Sequence, residues 1–380
     1  MSDLLNLIVE LRSEQFGAEA RTQALRELER TGARVEWPGK PSERFCAWID
    51  EAFGGFWSSE SLAGKNVVAT VDSRYAGFAT YDVRGLRYPW LRGCGAQPDV
   101  GIFGPFGVAR GFRGSQIGPA LLQLALAGLR EAGYERALVP AVGDDRLVRY
   151  YERESGARIV ERFTREQLFG SRSRAVVLAS GNGSNFQSVI DGVKRGSLPL
   201  EIALVVCNNV RAFVLERAAK ADVRSLALPW QRSAQSRTQY DAELLAVVQN
   251  EVPDLVLLLG WMHLLDERFV QRFPHILNIH PAFLPLDESS DEVTFPDGSV
   301  AKAFRGARAV RDALACGSSW VGASVHRVTA QTDRGPILAR APLRVHEGET
   351  EDEVFERLHP LEHRVLTAAI QRWAYEFAAD

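Results

Sequence analysis

Three short motifs in the second half of the chain carry the residue types of an acyl-transfer site. A glycine-rich turn, Gly181-Asn182-Gly183-Ser184-Asn185, follows an apolar run, and far downstream stand Asn278-Ile279-His280-Pro281 and Asp333-Arg334-Gly335-Pro336. The first motif is suited to hold an anion, the second offers an amide and an imidazole, and the third offers a carboxylate that can orient the imidazole. Together these groups predict transfer of a one-carbon acyl group to an amine.

The glycine-rich turn predicts an anion site if a strand precedes it and a helix follows it. Unpaired backbone N–H groups and a helix N-terminus would then face the same point, and phosphate is their natural ligand. Ordinary strand-to-helix turns use the same small polar residues. Taken alone, the turn therefore leaves both interpretations open.

Asn278 and His280 stand two residues apart, so at the end of a strand their side chains project from the same face. An amide can donate to a formyl oxygen as it becomes an oxyanion, and an imidazole can assist there and move protons. A lone histidine at a strand end is more often structural. A carboxylate from Asp333 favours the catalytic interpretation, because it can fix the imidazole tautomer, stabilise its charged form or position water.

More motifs follow one another in a fixed order between residues 174 and 377. They are Val177-Leu178-Ala179-Ser180, Cys207-Asn208-Asn209, Leu215-Glu216-Arg217-Ala218, Leu259-Gly260-Trp261-Met262-His263-Leu264-Leu265, Leu277-Asn278-Ile279-His280-Pro281-Ala282-Phe283-Leu284-Pro285, Val325-His326 and Asp333-Arg334-Gly335-Pro336-Ile337. This half of the chain resembles the glycinamide ribonucleotide formyltransferase family, which transfers formyl from 10-formyltetrahydrofolate to a primary amine.

The resemblance implies a role for each matching position. Asn278, His280 and Asp333 would form the catalytic triad, and the loop Gly181, Asn182, Gly183, Ser184 and Asn185 would bind the substrate phosphate. The folate would lie along Met262, His263, Leu264 and Leu265 and along the loop before Asp333. Glu362 matches a glutamate that contacts the amine substrate, and a solvated charge on a helix is its alternative interpretation.

One insertion departs from the family pattern. After Pro285 the family soon reaches a short segment with glycine and histidine, whereas this chain inserts residues 286 to about 303, rich in Asp, Glu and Ser, before Phe304-Arg305-Gly306-Ala307. Beside the catalytic histidine, it is expected to reshape the amine site. In this respect the chain resembles formyltransferases that act on hydroxyornithine in siderophore pathways. A tolerated surface loop is the alternative.

The first half carries a second anion-binding pattern. A strand ending near Val108 leads through Arg113, Gly114 and Gln116 to a helix that starts at Ile117 and Gly118, so backbone amides there can grip a pyrophosphate. The segment resembles the acyl-CoA-binding motif of GNAT-type N-acetyltransferases, and Leu147-Val148-Arg149-Tyr150-Tyr151-Glu152-Arg153-Glu154-Ser155-Gly156-Ala157 resembles their later helix.

The GNAT resemblance implies acetyl-CoA as donor, bound by the turn from Val108 to Gly118. It also implies that Tyr151 protonates the departing thiolate of coenzyme A. A core aromatic on an amphipathic helix is the alternative for Tyr151. Gln116 departs from the family loop, which commonly has glycine at this position, and no acidic residue is identified as the general base.

Composition limits the classes of protein to consider. The chain has 380 residues, 46% of them hydrophobic and 24% charged, with a formal net charge of −3. This predicts two globular domains and gives no sign of disorder, a nucleic-acid-binding surface or a membrane-surface patch. Four dispersed cysteines show no metal-ligand spacing, and the N-terminus has no signal-peptide pattern. We therefore expect no metal site, a small-molecule amine as partner and a cytoplasmic location, and the oligomeric state stays open.

The helices and strands that must position these groups follow a different pattern in each half of the chain. Residues 1 to about 57 show helical spacing, two strands then flank the turn Asp72-Ser73-Arg74, and helices are expected at 117–132 and 147–154. After the polar segment Phe169-Gly170-Ser171-Arg172-Ser173-Arg174, apolar strands at 175–178, 202–206, 225–228, 255–259 and 276–279 alternate with helices near 186–194, 213–221 and 240–251. The prediction is an α/β chain: a GNAT-like domain over residues 1–170 and, over 174–380, a Rossmann-like formyltransferase domain with a mostly parallel sheet.

The leading hypothesis is a bifunctional enzyme of a specialised biosynthetic pathway. Its second domain formylates an amine, hydroxylamine or hydrazine of a small metabolite, and its first domain acetylates an amine from acetyl-CoA. One alternative is glycinamide ribonucleotide formylation with an accessory first domain. Another is a first domain that senses acetyl-CoA without catalysis, for which Gln116 is the support.

Overall fold

Two units, each with its own sheet, divide the chain. The computed structural model describes residues 3–377. Of the described residues, the first unit contains 3–53, Trp57–Gly170 and 375–377, and the second contains Gly54–Phe56 and Ser171–Ala374. The main division after Gly170 lies within the short polar segment 169–174.

The first unit is built on a seven-stranded sheet in the order β2-β3-β4-β5-β6-β1-β7. Its strands are β1 (Leu4–Glu10), β2 (Arg34–Glu36), β3 (Lys65–Val71), β4 (Arg74–Tyr81), β5 (Val100–Val108), β6 (Arg136–Val142) and β7 (Arg158–Phe163). Its helices are α1 (Ala18–Arg30), α2 (Glu43–Ala52), α3 (Trp57–Leu62), α4 (Ile117–Glu131), α5 (Asp145–Ser155) and α6 (Arg165–Phe169). The apolar face of α4 packs on the sheet and forms much of the core of this unit.

The sequence-based expectation that residues 1 to about 57 are helical is wrong at two places. Leu4–Glu10 is strand β1, which lies between β6 and β7, and Arg34–Glu36 is strand β2 at the sheet edge. The apolar run at Leu4 fits a helix face equally well, and a short run of this kind cannot separate a buried strand from a helix by spacing. Pairing on both sides decides for the strand, since it satisfies the backbone groups of a segment that is almost wholly buried.

Strands β5 and β6 pair in parallel only at their beginnings. The pairing joins Val100–Ile102 to Arg136–Leu138 and stops there, although β5 continues to Val108 and β6 to Val142. Strand β4 still pairs with β5 as far as Val108 on its other side. The far half of β5, which leads into the turn before α4, is therefore not paired with β6.

The second unit contains a seven-stranded sheet in the order β10-β9-β8-β11-β12-β15-β16 and a separate two-stranded sheet. The strands are β8 (Ser173–Ala179), β9 (Leu200–Cys207), β10 (Ser225–Ala227), β11 (Leu255–Leu258), β12 (Ile276–His280), β13 (Glu292–Thr294), β14 (Val300–Lys302), β15 (Trp320–Arg327) and β16 (Ile337–Arg344). The helices are α7 (Ser184–Lys194), α8 (Val214–Lys220), α9 (Arg237–Asn250), α10 (Glu267–Arg272), α11 (Ala309–Ala315) and α12 (Glu351–Phe377).

Five strands of the larger sheet, from β10 to β12, are parallel, and β15 and β16 are antiparallel additions. The predicted mostly parallel, Rossmann-like sheet is thus confirmed. From β8 the chain runs outward to β9 and β10, and then returns to β11 and β12 on the other side. In open parallel sheets such a reversal leaves a crevice at the carboxyl ends of the two central strands, where ligands bind.

The inserted segment, residues 286–303, is an ordered hairpin. Strands β13 and β14 pair antiparallel, with Glu292 opposite Lys302. Phe295 is buried and stacks on Trp320, with ring centroids 5.6 Å apart. The insertion is therefore packed against the domain.

Within residues 3–377, no helix is both long enough and apolar enough to cross a membrane. In the same part of the chain, no group of three or more His, Cys, Asp or Glu side chains is arranged to hold a metal ion.

Candidate active site

A cleft of about 450 Å³ lies at the carboxyl ends of the central strands of the second unit. Its walls come from residues 181–185 after β8, 258–265 after β11, 278–281 at the end of β12 and 328–333 after β15. The predicted anion turn, folate segment and catalytic residues thus share one cleft. The parallel strands β8, β11 and β12 deliver their following loops to the same edge of the sheet, and the loop after the antiparallel strand β15 adds Asp333.

Asn278 and His280 project from β12 into this cleft, as their alternate spacing predicts. The antiparallel register of β12 and β15 places His326 directly opposite Asn278. The Asn278 Nδ2 atom lies 3.1 Å from His326 Nε2 and 3.4 Å from Asp333 Oδ1. His326 Nδ1 lies 3.0 Å from the backbone oxygen of Arg327, and its Nε2 also lies 3.4 Å from Asp333 Oδ1, so His326 contacts both Asn278 and Asp333.

Asp333 is held in place by its backbone and its carboxylate. Its φ of 52° lies in the left-handed region, which non-glycine residues seldom adopt. Gly306 N–H donates to Oδ2 at 2.8 Å, and the same oxygen lies 3.7 Å from His280 Nδ1. A side chain at Gly335 is excluded, since its Cβ would lie 1.7 Å from the backbone oxygen of Arg327. The loop therefore presents the Asp333 carboxylate to the histidine in one conformation.

His280 is buried, and its two ring nitrogens have different partners. Nε2 lies 2.9 Å from the backbone oxygen of Phe304, so Nε2 carries a proton. Nδ1 faces Asp333. Burial lowers the pKa of His280 below its ordinary value, and the charge of Asp333 opposes this without overcoming it. The ring is therefore neutral near pH 7, with Nδ1 free to receive a proton.

Asp333 stays ionised in this environment. Burial alone would raise the pKa of its carboxyl, but the contacts with His326 and His280 and the hydrogen bond from Gly306 outweigh burial and hold the pKa well below its usual range. A permanent carboxylate beside Nδ1 stabilises the imidazolium that forms when His280 takes up a proton.

The glycine-rich turn has the geometry of an anion cradle. Gly183 is the N-cap of α7 with φ 76°, and a Cβ there would lie 2.7 Å from Val214 Cγ2, so only glycine fits. Arg217 donates to the backbone oxygen of Asn182 and to its Oδ1, both at 2.9 Å. The first N–H groups of α7 consequently face the cleft from a rigid turn with a guanidinium beside it.

The segment after β11 forms the apolar wall of the cleft. Met262 and Leu264 are 60% and 68% exposed, which is unusual for large apolar side chains and suits a planar ligand. His263 lies among the rings of Trp230, Tyr240 and Trp261, and its Nδ1 is buried with no hydrogen-bond partner among the described residues. The wall therefore offers apolar contact, and His263 Nδ1 is a buried polar atom behind it.

Glu362 lies in the cleft wall and is 6% exposed, so its interpretation as a solvated helix charge is wrong. Asn185 Nδ2 donates to its Oε2 at 3.3 Å. Burial raises the pKa of Glu362 to about 7, and the hydrogen bond from Asn185 offsets only part of this. The carboxyl therefore changes charge near neutral pH beside the first turn of α7.

In the first unit, the turn between β5 and α4 is ordered by its own contacts. Arg113 Nε donates to the backbone oxygen of Val108 at 3.1 Å, and Gly114 has φ 83°. Gln116 is the N-cap of α4, but its side chain makes no capping hydrogen bond. Ile117 and Gly118 open the helix, and the Ile117 N–H donates to Ser115 Oγ at 3.3 Å.

The two tyrosines of α5 have different surroundings. Tyr151 is 7% exposed and packs among Phe103 and Phe106. The hydroxyl of Tyr150 is buried without a hydrogen-bond partner among the described residues, and it lies 3.4 Å from the place of a Cβ on Gly118. The catalytic role of Tyr151 stays a prediction, and no sequence pattern favours Tyr150 for that role.

Comparison with known proteins places these sites in families. A family model described as formyl transferase matches residues 173–370, more than half of the chain. The chain belongs to the formyl transferase family. A model of the acetyltransferase (GNAT) family matches residues 22–157. The two matches confirm the predicted combination of a GNAT domain and a formyl transferase domain, and both families are transferases.

Several similar proteins each match about half of the chain. The phosphoribosylglycinamide formyltransferase of Escherichia coli is 34% identical over 200 residues, which cover 52% of this chain and 86% of the relative. That of Mycobacterium tuberculosis is 37% identical over 200 residues, which cover 52% of this chain and 83% of the relative. The crystal structure of glycinamide ribonucleotide transformylase 1 from Symbiobacterium toebii has 37% identity, covers 54% of this chain and 89% of its own, and gives a TM-score of 0.48.

In the formyl transferase domain, sequence reasoning missed the supporting residues of the site. His326 was noticed only as part of a motif, and nothing in the sequence placed Phe304, Arg305 and Gly306 against His280 and Asp333. The pairing of β12 with β15 would have revealed His326. The contacts of residues 304–306 depend on loop conformation, which carries no periodic signal.

Proposed function

We propose that the formyl transferase domain transfers a formyl group from 10-formyltetrahydrofolate to an amine, hydroxylamine or hydrazine of a small metabolite. The observation that carries this proposal is the convergence of Asn278, His280 and Asp333 in one cleft with an anion cradle. The exposed apolar side chains of Met262 and Leu264 suit the flat rings of the folate. The family membership supports the same donor.

The geometry supports a direct mechanism. The unprotonated amine attacks the formyl carbon, and the carbonyl oxygen becomes an oxyanion. The Asn278 contact with Asp333 is long at 3.4 Å, so one Nδ2–H is available to the oxyanion. His280 Nδ1 accepts the proton that the amine loses, and the imidazolium adds positive charge beside the oxyanion. Collapse breaks the bond from carbon to N10 of the folate, which leaves with a proton, and the formylated amine remains.

Two acceptor classes remain as alternatives. The structure describes all of residues 286–303, and none of them lines the cleft. The insertion therefore changes the amine site only indirectly. The open cradle and the named relatives favour glycinamide ribonucleotide as the second candidate. The fused GNAT domain favours a metabolite with two amines in a specialised pathway.

For the first unit, we propose acetylation of an amine from acetyl-CoA. The support is the half of β5 that is not paired with β6, which leads to the start of α4, where backbone amides can receive the donor. In this proposal Val108, Arg113, Gly114, Gln116, Ile117 and Gly118 contact acetyl-CoA, and Tyr151 protonates the thiolate.

All four cysteines are unpaired, which suits a reducing compartment, and we propose the cytoplasm as the location and a small-molecule amine as the partner.

The deciding experiment incubates the full chain with 10-formyltetrahydrofolate and a panel of amines, and follows tetrahydrofolate release and product mass. The panel contains glycinamide ribonucleotide, diamines, hydroxylamines and hydrazines. We expect at least one acceptor to gain 28 Da with stoichiometric tetrahydrofolate, since a formyl group replaces one hydrogen. Absence of formylated product across the panel, with the donor shown to bind, would count against the proposal. Parallel titration with acetyl-CoA and detection of free coenzyme A separates an acetyltransferase from a sensor, which binds without turnover.

A further inference from the structure

The insertion has a fixed position in the formyl transferase domain. Phe295 packs between Phe283 and Trp320, with ring centroids 5.7 Å and 5.6 Å away, and Trp320 Nε1 donates to Asp297 at 2.8 Å. Ala303, at the end of the insertion, donates from its backbone N–H to the oxygen of Asp291 at 2.8 Å. The start and the end of the insertion are therefore joined beside residue 304.

The first part of the insertion, residues 288–291, contacts two arginines that adjoin the active site. Arg305 donates to the backbone oxygen of Ser290 at 2.8 Å, and its Nη1 lies 3.4 Å from Asp291 Oδ1. Arg334 donates to the backbone oxygen of Glu288 at 3.2 Å, and its Nη2 also donates to Asp291 Oδ1. One carboxylate oxygen thus joins both guanidinium groups.

These arginines connect directly to Asp333. Arg305 Nε donates to the backbone oxygen of Asp333 at 3.1 Å, and Arg334 is its neighbour in the chain. Asp333 needs such support because its φ of 52° is unfavourable for a residue with a side chain. A shift of the two arginines would therefore move the Asp333 carboxylate relative to His280.

The charges explain why Asp291 matters although it is exposed. The side chains of Arg305 and Arg334 are only 14% and 26% exposed, and burial together with the positive charge of Arg334 lowers the pKa of Arg305. Two neighbouring cations repel each other, and the carboxylate of Asp291 bridges them. Its contribution to overall stability is small because it is 74% exposed, so its effect is on local geometry.

We propose that Asp291 is a positioning residue for formyl transfer. Through its contacts with Arg305 and Arg334, it keeps the Asp333 carboxylate in position beside His280. This inference rests on the proposed function of the domain. It gives the insertion a role that does not require contact with either substrate.

The first test compares Asp291→Asn with Glu292→Gln, which removes the same charge from the next residue of the insertion. Asp291→Asn should lower kcat about tenfold, because small misplacements of catalytic groups are costly, and leave KM for the acceptor nearly unchanged. Asp291→Glu should restore most of the rate, and the melting temperature should stay close to that of the wild type. Glu292→Gln should behave like the wild type.

The second test needs no turnover. Burial lowers the pKa of His280, the charge of Asp333 and the contact with the Phe304 carbonyl raise it, and His326 and Arg305 lower it. A displaced Asp333 should therefore move the His280 titration to lower pH in ¹⁵N spectra of the histidine rings. We expect this shift in Asp291→Asn and not in Glu292→Gln.

Normal kcat and an unchanged His280 titration in Asp291→Asn would overturn the inference. A loss of rate that Glu292→Gln shares, or one that accompanies a fall in melting temperature without rescue by Asp291→Glu, would also overturn it. If the wild-type chain formylates no acceptor, the proposed function fails, and the histidine titration still decides whether Asp291 positions Asp333.

Discussion

The Nε2 atom of His280 lies 2.9 Å from the backbone oxygen of Phe304. This contact fixes the tautomer of His280, the proposed proton acceptor, since a carbonyl oxygen only accepts, and it leaves Nδ1 unprotonated beside Asp333. Phe304 is the first residue after the insertion. The chain therefore orients its imidazole with a backbone group, and no side-chain substitution at residue 304 removes that group.

Removal of the imidazole should abolish efficient formyl transfer. His280→Ala should lower kcat by about 10²–10⁴, the usual range for loss of a general base, and Asn278→Ala by about 10²–10³, as for loss of an oxyanion donor. Steady-state release of tetrahydrofolate measures both. His346→Ala, an exposed histidine of the same unit, is the control. Wild-type turnover in His280→Ala would show that the proton acceptor lies elsewhere.

The rate should depend on the neutral form of His280. Burial lowers the pKa of this residue, so the rising limb of kcat with pH should have a midpoint below about 6.5, the ordinary value for histidine. Asp333 raises the pKa of His280, so Asp333→Asn should move the ring titration to still lower pH. Histidine ¹⁵N spectra of wild type and variant measure this directly. A midpoint above the ordinary value would contradict the assignment of a neutral resting base.

Glu362 should make the domain less stable as pH rises. Its folded pKa of about 7 exceeds the unfolded value of about 4.3, so the folded state binds the proton more tightly. This contribution is fully present below the unfolded pKa and is lost as pH rises through the folded pKa. Glutamine does not titrate, so Glu362→Gln does not lose this contribution. Between pH 4 and pH 8, the unfolding free energy of the variant should therefore rise by about 3 kcal/mol relative to that of the wild type.

Urea unfolding of the two proteins at several pH values measures the Glu362 effect. Glu356→Gln, an exposed glutamate on the same helix, is the control and should show no such gain. A difference between Glu362→Gln and wild type that stays constant with pH would mean that Glu362 does not titrate near neutrality.

In the GNAT domain, Tyr151→Phe should lower the rate of coenzyme A release at least about tenfold, since general-acid groups usually contribute that much or more. Tyr150→Phe is the matched comparison, because the buried hydroxyl of Tyr150 has no hydrogen-bond partner among the described residues. Its loss should be neutral for stability. If only Tyr150→Phe loses activity, the proton donor is Tyr150.

The sequence by itself determined the two families and the placement of the main groups. Strand-end spacing put Asn278 and His280 on one face, and the glycine-rich turn stands between β8 and the N-terminus of α7 as its pattern predicts. These predictions succeed because they depend on local rules: alternation along a strand, and the backbone freedom of glycine at Gly183. The strand at Leu4–Glu10 was missed, since local spacing fits both structures and pairing with β6 and β7 decides between them.

Only the tertiary structure decided how the catalytic groups are held. It brought His326 opposite Asn278 through the antiparallel register of β12 and β15, and it buried Glu362 so that its pKa rises. It also turned an acidic insertion into support for the active site, through contacts of Asp291 with two arginines more than ten residues away. The physical reason is that burial, charge pairing and loop conformation depend on neighbours in space, and no pattern along the chain records them.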